Sequence, residues 1–207
     1  MRLRFEHRPL FLKRELRFLF EMALILALLL VSIRPATSAV LKMPKPLPDI
    51  VKSYKSVYIH AGSTGMNNTF VQVKPGDYIT ILAKGTIDLG KGRVHGPKVL
   101  LSYQFSEEDV ERRYRGPDLI TIYPGYLKNR ESGNIYLSYG DRYRCPSFHQ
   151  GYFLVDIIFW KMNDPNLVAK FLEEASSAKP KDNDLKEIVQ EFKKGETTGQ
   201  IILGVVK

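Results

Sequence analysis

Between Ser56 and Met162 the hydrophobic residues fall in short runs rich in β-branched and aromatic side chains. Turn residues separate these runs, and Lys74-Pro75-Gly76-Asp77 is the strongest turn signal. Many short strands with little internal helix are typical of an antiparallel β-sandwich or barrel. The pattern predicts strands at Val57–His60, Thr69–Val73, Tyr78–Ala83, Lys98–Phe105, Leu119–Tyr123, Asn134–Ser138 and Tyr152–Trp160.

The run Tyr152–Trp160 is almost entirely apolar, which predicts a central strand that is buried on both faces. Asp156 is the exception in this run. Burying a carboxylate is costly unless hydrogen bonds compensate it. We therefore expect Asp156 either to have a polar partner or to lie on the one solvated face of the strand.

After Met162 the apolar residues change to helical spacing. Asp164 is a good N-cap residue and Pro165 suits the first helical position, so a helix is predicted over Pro165–Ala178. The apolar stripe of such a helix is expected to pack against the sandwich or against a partner chain.

A second amphipathic helix is predicted to follow Asp182–Asp184 and to end before Gly195. Its apolar face consists of Leu185, Ile188, Val189 and Phe192. The last apolar segment, Gln200–Val206, is predicted as a possible strand.

The N-terminal 39 residues combine a basic stretch, the apolar run Met22–Ile33 and small residues up to Ala39, which is the order of a cleaved secretory signal peptide. The apolar run is shorter than the roughly 20 residues of a membrane span. Extending it back to Phe18 would place Glu21 in the bilayer, which is costly. The basic region is long, however, and Arg34 follows the apolar run directly, so an uncleaved membrane-anchor helix is the alternative. Either fate predicts an extracytoplasmic protein that is periplasmic, secreted or membrane-anchored.

Four segments are predicted along the chain. Residues 1–39 form the signal peptide or membrane anchor, and residues 40–55 form a linker with three prolines within Pro44–Pro48. Residues 56–162 form the β-sandwich, and residues 163–207 form a helical C-terminal extension. The predicted fold class is therefore mainly β with helices at both ends.

Composition and charge mainly exclude functions. With 44% hydrophobic and 26% charged residues among 207, the chain has globular composition. Seven basic and three acidic residues give the first 39 residues a charge of +4, which leaves +5 of the total +9 for the remainder. No basic stripe interleaved with aromatic residues is present, so nucleic acid is not an expected partner. A single cysteine, Cys145, and four scattered histidines offer no disulfide framework and no zinc motif.

Enzymatic motifs are lacking as well. The sequence contains no G-x-S-x-G elbow, P-loop or dinucleotide fingerprint. The two catalytic carboxyl groups of a glycosidase face each other across a cleft, about 5–10 Å apart. The acidic residues Glu107–Asp109 are contiguous in the chain, and such a run does not place two carboxylates in that way. Cys145 and His149 have i, i+4 spacing, but Pro146 and the loop context disfavour a nucleophile and its base. We therefore predict a protein that is not an enzyme.

Two groups of motifs, in order and with similar spacings, resemble the LecA-like (PA-I galactophilic lectin-like) domain. The resemblance covers roughly residues 56–162, about half of the chain. The first group is Val71–Gly85 (VQVKPGDYITILAKG), Gly90 and His95-Gly96-Pro97, and the second is Gly133–Leu137, Tyr139–Asp141 and Gly151–Ile157. The resemblance implies a jelly-roll-like antiparallel β-sandwich that binds galactose-type sugars at one edge.

In that family a calcium ion lies in the loops, and two sugar hydroxyls complete its shell of about six to eight oxygen ligands. The resemblance places an aspartate ligand at Asp141 and backbone carbonyl ligands at Leu89 and Cys145. The two adjacent asparagines of the family correspond to Phe148 and His149. Phenylalanine offers no oxygen, and imidazole is a poor calcium ligand. We therefore expect the calcium site to have been lost and no cofactor to be bound, unless Asp88 compensates in a rearranged site.

The loop that begins at Asp141 carries Tyr143, Arg144, Phe148, His149 and Tyr152. Their aromatic rings and planar polar groups can bind sugars without metal, through stacking and paired hydrogen bonds. Alternatively, Phe148 fills the space of the lost metal site, His149 is a surface residue, and Asp141 is a turn residue or an ion-pair partner. The expected ligand-binding residues are Asp141, Tyr143, Arg144, Phe148, His149 and His95.

The sequence therefore predicts an exported protein that binds a glycan or an envelope polysaccharide without enzymatic activity. The alternative is a structural or interaction module that has lost the sugar site and docks a protein partner through its C-terminal helices. A third possibility is an accessory domain of a larger envelope protein. Membrane association is expected only through the N-terminal segment, if that segment is not cleaved.

Overall fold

Nine β-strands, β1 to β9, form two antiparallel sheets in the part of the chain that the computed structural model describes. That part comprises residues 40–41, 43–63, 65–128, 130–140 and 148–202, with the backbone alone for residues 196–202. The strands are Val51–His60, Asn67–Val73, Tyr78–Asp88, Val94–His95, Leu101–Gln104, Arg112–Arg113, Leu119–Thr121, Gly133–Tyr139 and Gln150–Trp160.

The first sheet has the strand order β1-β9-β3-β4, with β7 also paired to β3, and the second has the order β2-β8-β5-β6. Apolar residues from both sheets form the core between them, so the two sheets pack face to face as a sandwich. The prediction of a mainly β sandwich with C-terminal helices is confirmed. The largest fully buried side chains of this core are Phe105, Phe153, Ile59, Ile79, Ile81, Ile87, Leu101 and Ile122.

Helices cover the outer face of the first sheet. Besides the short helix α1 (Pro97–Leu100) and a 3-10 turn at Pro124–Leu127, the described chain contains α2 (Pro165–Ser177) and α3 (Asn183–Ile202). Their apolar stripes pack on the sheet in a second core rather than remaining open to solvent. This core includes Leu82, Leu154, Ile158 and Trp160 of the sheet and Val168, Leu172, Leu185, Ile188, Val189 and Phe192 of the helices.

Local capping explains where α2 begins. The Asp164 carboxylate accepts hydrogen bonds from the backbone amides of Asn166 and Leu167 at 3.0 and 3.1 Å. These two amides have no partner inside the helix, so the cap satisfies donors that would otherwise be unpaired. The predicted N-cap at Asp164 and the helix start at Pro165 are confirmed.

Two predicted strands begin three or more residues away from their observed starts. The strand predicted at Lys98–Phe105 begins only at Leu101, because Pro97 starts the helical turn α1 before it. β1 begins at Val51, six residues before the predicted start and within the predicted proline-rich linker. Pairing with β9 extends β1 in this direction, and Val51 lies opposite Trp160.

The end of α3 also differs from the prediction. The helix continues through Gly195 to Ile202, so the predicted helix end and the predicted strand over residues 200–202 are wrong. One glycine inside a helix costs only about 1 kcal/mol, and the packed apolar face of α3 outweighs that cost. Residues 203–207 lie outside the described part of the chain.

Residues 1–39, on which the signal-peptide and anchor predictions rest, also lie outside the described residues. Within the described part, no helix is both long and apolar enough to cross a bilayer. Export and membrane anchoring therefore stay predictions of the sequence.

Asp156 is fully buried on the outer face of the first sheet and is hydrogen-bonded there. One carboxylate oxygen accepts from the Leu41 amide at 2.6 Å, and the other accepts from the Ser56 hydroxyl at 2.5 Å. The Tyr54 hydroxyl donates to the Leu41 carbonyl at 2.7 Å, which closes the polar cluster. Asp156 thus has the partner that its position in an apolar strand requires, and the cluster fixes residue 41 to the sheet.

Burial raises the pKa of Asp156, and the hydrogen bonds from Ser56 and Leu41 offset only part of that rise. The folded state therefore retains a proton that the unfolded state releases above the ordinary pKa of 3.8. We expect the stability of the wild type relative to Asp156→Asn to fall as the pH rises from about 4 through the raised pKa. Urea denaturation of both proteins between about pH 3.5 and 8 measures this difference. Asp49→Asn, at an exposed aspartate, is the control, and a relative stability that rises with pH would contradict the expectation.

Candidate ligand-binding surface

The turn between β3 and β4 and the residues before β9 lie at one end of the sandwich, which we call the loop end. Asp88 at the end of β3 pairs with Gln150 at the start of β9. The Asp88 carboxylate accepts from the Gly90 amide at 2.8 Å and shapes the turn. A side chain at Gly90 would meet Phe148 at 3.8 Å, so Phe148 lies directly beside this turn.

Arg93 interacts with the backbone of the same turn. Its guanidinium donates to the Leu89 carbonyl at 3.3 Å and to the Gly90 carbonyl at 3.4 Å. Leu89 is the position that the family resemblance equates with a backbone ligand of calcium, but its carbonyl faces a fixed positive charge here. A second cation at this carbonyl would be repelled by the guanidinium.

Phe148 and Tyr152 expose aromatic surface at the loop end. The Phe148 side chain is 72% exposed, so it does not fill a cavity, and Tyr152 is 39% exposed. Tyr152 forms an aromatic cluster with Tyr58 and His60 of β1, with ring centroids 5.6 and 6.3 Å away. Tyr58 and His60 are stacked at 6.2 Å. The rings of Tyr58, His60 and Tyr152 hold one another and form an aromatic platform. Phe148 is a separate exposed ring beside the Gly90 turn.

His149 packs against Tyr139 rather than standing alone on the surface. Its ring meets the Tyr139 ring edge-on, with centroids 6.0 Å apart, and its Nδ1 lies 3.3 Å from the Tyr139 hydroxyl. The Tyr139 hydroxyl also donates to the carbonyl of Ala61. These contacts fix the orientation of His149 at the loop end.

His95 lies on the other side of β3. On β3, Ile87 pairs with His95 of β4 on one side and with Gly151 of β9 on the other. Two inter-strand spacings therefore separate His95 from Gly151, a distance of about 10 Å. Phe148 and His149 are chain neighbours just before β9, whereas His95 lies on the opposite side of β3 from β9. The other four predicted ligand residues or carbonyl positions, Asp141, Tyr143, Arg144 and Cys145, lie outside the described residues.

Three further residues of the loop end were not among the predicted ligand residues: Tyr58, His60 and Arg93. Tyr58 and His60 have i, i+2 spacing within a predicted strand, which places both side chains on one face. Their proximity to Tyr152 depends on the register in which Tyr58 pairs with Leu154 and His60 with Tyr152. Sequence spacing does not supply this register.

The acidic run is used in ion pairs and a hydrogen bond rather than in a cleft. Asp109 pairs with Arg112, and Glu108 pairs with Arg130. Glu107 accepts from the Tyr136 hydroxyl at 2.9 Å. Within the described residues, no group of three or more His, Cys, Asp or Glu side chains is arranged to hold a metal ion.

A separate pocket of about 380 Å³ lies between β3, α1 and α3. Its walls include Tyr114 and Ile188, and the ion pair between Lys98 and Glu191 lies in its lining. Burial raises the pKa of Tyr114 far above its usual value, so this phenol stays neutral and is not a base.

Comparisons with known proteins give distant structural likenesses. No protein-family model matches the chain, and a search of curated proteins finds no match. The PllA-like lectin that forms the N-terminal domain of EclA matches 50% of this chain and 94% of its own length, with 19% identity and a TM-score of 0.42.

Two metallopeptidase structures from Clostridium perfringens also match. The M60 catalytic domain of ZmpB with its CBM51-1 and CBM51-2 domains aligns with 62% of this chain and 16% of its own length, at 18% identity and a TM-score of 0.31. A second ZmpB structure aligns with 57% of this chain and 26% of its own length, at 21% identity and a TM-score of 0.28. At these low identities and TM-scores the likenesses do not assign the chain to a family, and the family's calcium positions find no support in them.

Proposed function

We propose that this chain is an exported, non-enzymatic carbohydrate-binding protein and that it binds a glycan at the loop end without calcium. The aromatic platform at the loop end is the observation that supports the proposal most directly. Sugar rings present patches of C–H groups that stack on aromatic faces, and the exposed rings of Phe148 and Tyr152 offer such faces.

The polar groups of the loop end suit a sugar as well. His60 and His149 present ring nitrogens, and the Tyr58 and Tyr152 hydroxyls both donate and accept hydrogen bonds. A few polar groups beside an apolar surface fix the orientation of a small ligand. Asp141, Tyr143 and Arg144 are proposed to contribute from the adjoining loop, and His95 from the far side of β3.

Metal-free binding is proposed because of the contact between Arg93 and Leu89. The guanidinium donates to the carbonyl that would be a calcium ligand, and Phe148 stands at a position where the family supplies an amide oxygen. The structural alternative, a module that has lost sugar binding, requires the loop end to bind no glycan at all.

Phe148→Ala and Tyr152→Ala are each expected to weaken glycan binding about tenfold, because each removes a stacking face. A glycan array with the full chain selects the sugar, and isothermal titration calorimetry in EDTA measures each variant. Tyr123→Ala is the matched control, since Tyr123 is 50% exposed and follows β7, which pairs with the opposite end of β3.

If Phe148→Ala and Tyr152→Ala both bind the glycan as tightly as the wild type, the glycan does not bind at the loop end. A melting temperature that millimolar calcium raises and EDTA restores would show that the metal site persists. The absence of binding to any glycan would favour the structural or interaction module.

A further inference from the structure

Phe70 is a strained and exposed residue far from the loop end. Its ring is 80% exposed, the largest exposed fraction among the large hydrophobic side chains of the described residues. Its φ of 56° lies in the left-handed region, which bulky side chains rarely adopt. A solvent-exposed phenylalanine in this conformation gains nothing from burial, so folding alone does not explain it.

Side chains of the neighbouring residues hold the backbone in this conformation. The Asn68 side chain accepts from the Phe70 amide at 2.8 Å, and the Thr69 hydroxyl accepts from the Val71 amide at 3.2 Å. The Thr69 hydroxyl in turn donates to the buried Ile135 carbonyl at 2.7 Å. The pairing of β2 with β8 is irregular between Asn68 and Gln72, and the segment forms a bulge that directs Phe70 outward. Strain that the surroundings maintain in this way is typical of functional positions.

Phe70 forms one wall of a groove between the edge strands β1 and β2. The groove has a volume of about 460 Å³, which is within the usual range of small-ligand sites. Lys52, Lys55 and Lys74 line it with Phe70, and Asp77 is the one acidic residue among the described residues of its lining.

The groove is electropositive because its single carboxylate is already engaged. Asp77 accepts from the Lys52 ammonium at 2.6 Å and from the Lys74 amide at 2.8 Å, and its side chain is only 10% exposed. Lys55 donates to the Thr69 carbonyl at 2.8 Å, and a neutral acceptor leaves the charge of this ammonium uncompensated. Lys52 offsets the charge of Asp77, so Lys55 and Lys74 leave the groove with two uncompensated positive charges, which favour an anionic ligand.

We infer that this groove is a second ligand site, which binds an acidic sugar unit of a polysaccharide by stacking its ring on Phe70 and pairing its carboxylate with the lysines. A hexuronate has both features, a C–H face and one negative charge. The site lies away from the loop end, since Lys55 pairs with Ile157, five residues along β9 from Tyr152, or about 16 Å. The inference therefore does not depend on glycan binding at the loop end.

An extended acidic peptide fits the groove less well. A peptide that adds a strand needs a straight and open strand edge. Here the Lys55 side chain crosses from β1 to β2, and the bulge at Phe70 bends the β2 edge. The described residues of the lining include no arginine, the residue that suits phosphorylated peptides and nucleic acids through paired hydrogen bonds.

Phe70→Gly separates a binding role from a structural one. Glycine adopts positive φ without strain, so the substitution removes the ring and relieves the backbone at the same time. We expect a melting temperature about 2–4 °C higher than in the wild type. We also expect binding of polygalacturonate, measured by calorimetry on the full chain, to weaken about tenfold. A variant that is more stable but binds less well has lost a contact rather than its fold.

Charge and ligand controls complete the experiment. Lys74→Gln is expected to weaken polygalacturonate binding about threefold, and Lys170→Gln, at an exposed lysine of α2, is expected to leave it unchanged. Fully methyl-esterified polygalacturonate, which keeps the sugar rings and lacks the charge, is expected to bind more weakly. Phe148→Ala is the control for the loop end.

Each contrary result overturns the inference in its own way. If polygalacturonate binds Phe70→Gly as tightly as the wild type, or does not bind the wild type at all, the groove is not a site for acidic sugars. If Phe148→Ala is the only variant that weakens polygalacturonate binding, the acidic sugar binds at the loop end. That result would support the function proposed there. Poly-glutamate that binds as tightly as polygalacturonate and depends on Phe70 would assign the groove to an acidic peptide instead.

Discussion

A Gly151→Ala substitution is expected to lower the free energy of unfolding by about 3–5 kcal/mol, because it combines backbone strain with a steric clash. Gly151 has φ of 99°, and a Cβ at this position would overlap the Thr86 carbonyl oxygen on the neighbouring strand. Gly85 faces the same constraint from the other strand, since its Cβ would lie 2.5 Å from the Tyr152 carbonyl oxygen. The two glycines allow β3 and β9 to approach closely at the loop end.

Substitutions at two other glycines separate the cost of backbone strain from the cost of a steric clash. Gly76 has φ of 86° with open space around it, so Gly76→Ala should cost only the strain, about 1–2 kcal/mol. Gly62 has open space and is not at positive φ, so Gly62→Ala should change stability by less than about 1 kcal/mol. Urea denaturation of the three variants measures the series. Equal costs for Gly76→Ala and Gly151→Ala would show that β3 and β9 are not in close contact at this point.

The series also bears on function, because Gly151 directly precedes Tyr152. The Gly151 carbonyl accepts from the Ala61 amide at 3.1 Å, which joins the end of β1 to the start of β9. This junction holds His60 beside Tyr152. Gly151→Ala is therefore expected to weaken glycan binding together with stability, whereas Phe148→Ala is expected to weaken binding alone.

Trp160→Ala is the second substitution with a large expected effect. It should lower the free energy of unfolding by about 3–5 kcal/mol. Trp160 is 2% exposed in the core between the first sheet and the helices. Its ring packs edge-on against Phe171 of α2, with centroids 5.7 Å apart, and its Nε1 donates to the Thr80 hydroxyl at 2.9 Å. The substitution removes the apolar contacts and leaves the buried Thr80 hydroxyl without this donor.

Trp160→Phe keeps most of the apolar volume and removes the indole N–H, so a loss near 1–2 kcal/mol is expected from the hydrogen bond and a smaller ring. Phe171→Ala removes the partner ring from α2 and tests the same interface from the helix side. Chemical denaturation of the full chain measures all three variants. A loss below about 1 kcal/mol in Trp160→Ala would mean that the helices do not pack on the sheet as described.

Packing of the helices on the sheet also limits the alternative function. The apolar stripe of α2 and that of α3 up to Phe192 pack on the sheet, so a protein partner would bind the outward faces of these parts of the helices. An interaction module of that kind would be sensitive to surface charge variants of α2 and α3. It would be insensitive to Phe70→Gly and Phe148→Ala.

Local patterns in the sequence determined the class of fold and several element positions. The alternating apolar runs gave the strands Thr69–Val73 and Tyr78–Ala83 inside the observed β2 and β3. Asp164 and Pro165 set the start of α2, because capping depends on residues only two or three positions apart. The apolar run Tyr152–Trp160 gave a central strand, and β9 pairs with β1 on one side and β3 on the other. All of these signals act between near neighbours in the chain.

Tertiary structure alone decided the contacts between residues that are far apart in the chain, including those that bear on binding. Asp156 finds its partner at Leu41, 115 residues earlier in the chain, and the register of β1 against β9 places Tyr58 and His60 beside Tyr152. The exposure of Phe70 depends on a bulge that Thr69 stabilises through a carbonyl on β8. A pattern of residues specifies which face of a strand is apolar. It does not specify which strand lies alongside or in what register, because those depend on the free energy of the whole packed core.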